Sequence, residues 1–209
     1  MSGMLIINKK SRGFTIVEMM TVVVIMTLLI TAAIPGYQNF VRNNEAIALA
    51  TRLASSFRLA KGEAIKRGKS VSICPIAPGS TPADPTLSSD ICSDTLDWDA
   101  WKVYEDTDGN SDDNGSEPII RYVEDIPPGT IKTNIAGSLL FDPMGFAQVT
   151  PTNVSSWSWW GNYSYSRDTD ISRVFHIIPQ GCTGRNARTV EVMNNGTITV
   201  SISDCYYRQ

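Results

Sequence analysis

Residues 14–34 are apolar almost without interruption, FTIVEMMTVVVIMTLLITAAI, with Glu18 as the single charge, and Pro35-Gly36 follow directly. Twenty-one helical residues rise about 31 Å, enough to cross the hydrocarbon of a bilayer. Pro35 removes one backbone donor, so a kink is expected near residues 34–36. Beyond it, Ala46, Ala50, Leu53, Phe57, Ala60 and Ala64 recur at intervals of four and three. That is the stripe of an amphipathic helix, which Gly68 is placed to end. The pattern then shortens to alternating, β-branched runs punctuated by Pro, Gly, Asn and Asp. Strands are predicted at 70–74, 98–105, 119–123, 131–135, 138–141, 174–178, 188–193 and 197–202. Asn194-Asn195-Gly196 reads as a tight hairpin turn between the last two. One long helix followed by antiparallel strands is an α+β fold.

Charge sharpens the picture at the N-terminus. Lys9, Lys10 and Arg12 precede the apolar run and should hold that end on the cytoplasmic side. A carboxylate near the centre of a membrane helix costs about 2.5–3.5 kcal/mol, so Glu18 calls for a partner. A secretory signal peptide fits poorly, because its small-residue cleavage site follows the apolar region, whereas Gly13 precedes this one. The whole chain carries a formal charge of −3, which argues against general nucleic-acid binding while leaving room for a local basic patch.

The basic leader, the Gly13-Phe14 junction and Glu18 four residues on resemble the signal of type IV pilins and type II secretion pseudopilins. The resemblance implies cleavage after Gly13 by a prepilin peptidase and methylation of the new amine at Phe14. It makes Glu18 the assembly carboxylate, meeting that amine or a neighbouring subunit's. The chain would then divide into a leader at 1–13, a transmembrane half-helix at 14–36, an amphipathic half-helix at 37–68 and a β-rich head at 69–209. The head adds detail. AKGEAIKRGKSV at 60–71, WDAWKVYEDTDGNSDDNGSEPIIR at 98–121, LFDPMG at 140–145 and the terminal Cys182…Cys205 segment are similar to GspH/FimT-type minor pilins. Within that group the likeness is greatest to the pilus-assembly type, and it implies a head of two antiparallel sheets packed on the helix. Residues 151–170 read as an insertion.

The partners so implied are other minor pilins, the major pilin, the inner-membrane assembly platform and, before assembly, membrane lipid. The protein would begin in a bacterial inner membrane with a periplasmic head, then enter a pilus or its tip. The expected function is that of a minor pilin that primes assembly and sits at the tip. The alternatives are a DNA-binding pilin for natural transformation and a type II secretion pseudopilin.

Cys74, Cys92, Cys182 and Cys205 suit an oxidising compartment, and four cysteines allow three connectivities. The sequence-local pairs 74–92 and 182–205 are favoured. Zinc is disfavoured, with no Cys-x-x-Cys and His176 the only histidine. Arg185 and Arg188, in Gly-Arg-x-x-Arg, are candidate DNA contacts; ordinary turn or strand-edge arginines are the plainer reading. Arg42, Arg52, Arg58, Lys61, Lys66 and Arg67 read as a solvated helix face or one that meets acidic neighbours. In the 105–117 loop, Asp106, Asp108, Asn110 and Asp112 alternate as in a calcium loop and Glu117 falls twelfth, but glycine stands fourth rather than sixth. An ordinary solvated hairpin tip is preferred, and no metal or cofactor is assigned. Trp157, Trp159, Trp160, Tyr163 and Tyr165 read as a strand packed on the core, or as a stacking or subunit surface. With one histidine, no nucleophile elbow and no phosphate loop, the chain is not expected to be an enzyme.

Overall fold

The computed structural model describes residues 13–76, 92, 98, 100–111, 113, 117–124, 126–127, 130–135, 137–149 and 173–205, without the side chains of 32–35 and 149. The leader bases, the 77–86 loop, the aromatic cluster at 157–165 and the C-terminal tail lie outside these residues. The chain forms two compact units, 1–40 and 41–209, and helix α1 (Ile16–Arg67) belongs to both. The helical assignment runs unbroken through Pro35, whose side chain lies outside the described residues along with the expected kink.

In the first unit α1 starts on a cap. Thr15 Oγ1 accepts from the Glu18 amide at 3.3 Å, and the Thr15 carbonyl accepts from Met19 at 3.2 Å. Thr15 is thus the N-cap, and the helix begins two residues after the Phe14 of the expected cleavage. From Ile16 to Ile30 the large apolar side chains are all exposed in the single chain. The threonines among them turn inward to their own helix. Thr21 donates to the Glu18 carbonyl, Thr27 to Val23 and Val24, and Thr31 to Leu28, so no hydroxyl is left bare in an apolar surrounding.

In the second unit the same helix has one buried face. Ala46, Ala50, Leu53, Phe57, Ala60 and Ala64 are fully buried, as their spacing predicts. Gly68 ends the helix at φ 64, its amide returning to the Ala64 carbonyl at 3.0 Å; only a residue free to enter the left-handed region closes the turn this way. Nine strands follow: β1 (Val71–Pro75), β2 (Trp101–Glu105), β3 (Ile119–Val123), β4 (Ile131–Thr133), β5 (Leu139–Phe141), β6 (Ala147–Val149), β7 (Arg173–Ile177), β8 (Ala187–Val192) and β9 (Ile198–Ser203). They make two antiparallel sheets, in order β3-β2-β1-β5-β6 and β4-β7-β8-β9.

The core lies between helix and sheets, and three rings join them. Phe57 of α1, Trp98 and Phe175 of β7 are all buried; the Phe57–Phe175 and Trp98–Phe175 centroids are 4.8 Å apart. Trp98 was expected to begin a strand, but β2 starts at Trp101. The Trp98 amide instead donates to the Ile131 carbonyl, which drops the ring into the core. The short β6 was not predicted, since three residues AQV carry no periodic signal.

Candidate functional site

Glu18 is the third residue of α1, in its first turn, where a carboxylate complements the positive end of the helix dipole. Thr15-x-x-Glu18 has the spacing of a capping box, a local role that the membrane argument alone does not suggest. The helix behind it is long and apolar enough to cross a membrane.

The two arginines of the Gly-Arg-x-x-Arg element part company. Arg188 is buried, donating to the Ala187 carbonyl at 2.8 Å and to Asn43 Oδ1 of α1 at 2.6 Å. It therefore cannot present its guanidinium to a phosphate, and its candidacy as a DNA contact is withdrawn. The strand period could have shown this: Arg188 shares a face with the buried Val190 and Val192. Arg185 is exposed, 3.7 Å from an oxygen of Asp204. Arg173 is buried as well, donating to Asn194 Oδ1 at 2.6 Å, and burial pushes its pKa down.

Cys74 is joined to Cys92 and Cys182 to Cys205. The first bridge ties central strand β1 to the start of the segment leading into β2. The second spans β8 and β9. His176 is half-buried, with Nδ1 3.3 Å from Thr189 Oγ1, and burial lowers its pKa.

Most of the helix cations are exposed, but two of them tie α1 to the head. Lys61 donates to the Asn195 and Gly196 carbonyls of the β8–β9 turn, at 3.3 and 3.0 Å. Arg67 bridges Glu63 at 2.6 Å and Glu105 at 2.7 Å, and Lys69 also holds Glu105. First Lys69, then Arg67, keep the Glu105 carboxyl below its usual range.

The acidic loop between β2 and β3 departs most from expectation. Among the described residues, 107–110 at the tip are exposed as expected, but Asp106, Ser111, Asp113 and Glu117 are buried. The reason is that its turn amides need acceptors. Asp106 Oδ1 accepts from Gly109 at 2.6 Å, Oδ2 from Ser111 at 2.9 Å and from Ser72 Oγ at 3.0 Å. Lys102 of β2, fully buried, pairs with the buried Asp113. Sequence reasoning missed this pair, which lies on the β2 face shared by Lys102 and Tyr104.

A family model described as Type II transport protein GspH matches residues 49–174, and one for the prokaryotic N-terminal methylation motif matches residues 8–34. The chain belongs to the GspH family. Among solved structures it is similar to the type IV minor pilin FimU of Pseudomonas aeruginosa PAO1 in two crystal forms. One is 18% identical, with 80% of this chain and 99% of that chain covered at a TM-score of 0.48; the other is 18% identical, with 76% and 98% covered at 0.44.

The GspH match covers α1 from residue 49 onward, β1 to β6 and the first residues of β7. The methylation-motif match contains Gly13, Phe14 and Glu18. The chain is thus a GspH/FimT-type minor pilin or pseudopilin, a structural class of protein, in which an apolar N-terminal helix leads into a disulfide-bonded β-rich head.

Proposed function

We propose that this GspH-family chain is a minor pilin of a type IV pilus, processed after Gly13, methylated at Phe14, and drawn from the inner membrane into a complex that primes assembly and sits at the pilus tip. The observation that carries the reading is the methylation motif placed on a capped apolar helix, whose exposed side chains need either lipid or neighbouring helices. Glu18 serves in register by pairing with an N-terminal amine, and the head surface chooses the partners: other minor pilins and the major pilin. The protein is a structural subunit without catalytic activity.

A second reading is a pseudopilin of type II secretion, which the description of the matching family favours. DNA capture has less support, because Arg188 is spent on Asn43. Deleting the gene and assaying surface pili beside exoprotein secretion separates the first two. We expect pili to be lost and secretion kept, with pili restored by the wild-type gene and not by Glu18→Ala. Loss of secretion with pili intact would overturn the pilus reading.

A further inference from the structure

We propose that the β2–β3 loop is a calcium site built from the carboxylates of Asp106, Asp108 and Glu117. One carboxylate oxygen from each lies within 4.8 Å of the others. Calcium–oxygen distances of about 2.3–2.6 Å place opposite ligands up to about 5 Å apart, so the three fit one coordination sphere.

Glu117 points independently to a missing partner. It is 5% exposed, and its Oε1 accepts from the Thr107 amide at 2.7 Å and the Thr107 hydroxyl at 3.2 Å. Its Oε2 is buried with no hydrogen-bond partner among the described residues. A buried carboxylate oxygen left so is costly, and a cation relieves it. The nearby cations are committed elsewhere: Lys102 to Asp113, Arg67 and Lys69 to Glu105.

The donor set is all oxygen, with no histidine or thiolate, which selects a hard cation. An irregular turn with ligands at unequal depths suits calcium, which tolerates variable coordination, better than magnesium, which demands a near-ideal octahedron. Asp108 is exposed and opens the site to water, which gives an entry path and completes the coordination. The hydrogen bonds that Asp106 and Glu117 accept from the loop amides fix the orientation of these ligands.

Full-length protein in detergent micelles, stripped with a chelator, is titrated with calcium chloride by calorimetry and followed in thermal unfolding. We expect one saturable ion with Kd of about 10⁻⁴–10⁻³ M, as in extracellular modules, and a higher unfolding midpoint of the head. Asp108→Asn, at an exposed position, keeps the fold and should weaken binding about tenfold or more, each unit of ligand charge counting heavily. Glu117→Gln should abolish it and cancel the midpoint shift. No saturable calcium binding up to about 10 mM, calcium affinity unchanged in both variants, or magnesium binding as tightly as calcium would each overturn the proposal.

Discussion

Gly196 shows how much a single position can carry. It sits at φ 70 in the β8–β9 turn, where its amide returns to the Met193 carbonyl at 2.8 Å. A Cβ there would overlap the carbonyl oxygen of Gly145 in the β5–β6 turn and crowd Lys61 Nζ. Both effects oppose any side chain: the left-handed backbone and the close approach of a second turn. Gly196→Ala should therefore destabilise the head by about 1–3 kcal/mol, read as a lower midpoint in denaturant titration. The Asn194-Asn195-Gly196 turn was legible in sequence; the turn it packs on, from the other sheet, was not, since nothing local records a contact across fifty residues.

Between elements an electrostatic joint forms at the end of α1. Glu105 closes β2 against Arg67 in the last turn of the helix and Lys69 just beyond it. Its carboxyl is held below the ordinary 4.5, so the folded state binds fewer protons than the unfolded one near that value. The stabilisation is then fully present above about pH 4.5 and lost as pH falls through the folded value. Glu105→Gln should flatten the decline of the thermal midpoint between pH 6 and pH 3, taking roughly these bounds from the ordinary carboxylate range. An unchanged acid profile would show that the joint is too solvated to matter. Sequence periodicity located both elements but could not tell that their charges meet, because it reports faces rather than neighbours.

At the scale of the whole head, Phe57 stands where the helix and both layers come together. Its ring meets Trp98, in the segment just before β2 of the first sheet, and Phe175 of the second sheet. Phe57→Ala should cost about 3–5 kcal/mol and lower a single unfolding transition, since no layer keeps its packing without the others. Two separate transitions would contradict that account. The helix stripe, eight of the nine strands and the α+β class could all be read from periods of 3.6 and 2, because burial imposes those periods directly. The candidate site was legible more unevenly. Glu18 stands out as the single charge of an apolar run, whereas Gly13 and Phe14 are marked only by the resemblance to the pilin signal. Arg188 reads in sequence as a turn or strand-edge arginine or a candidate DNA contact, and its burial shows only from its place on the β8 face of Val190 and Val192. The burial of Asp106 and Glu117 was missed because acids and glycine in a turn look alike whether the turn is wet or folded inward.

The two disulfides each close a stretch that is continuous in sequence, 74–92 and 182–205. A peptide bond cut inside either stretch therefore releases no fragment. Cleavage at the β8–β9 turn leaves β9 both paired along β8 and tethered through Cys205. A protease that cuts once within either stretch would leave a nicked but covalently whole chain, migrating as one species until a thiol is added. Such a head can be nicked without being divided.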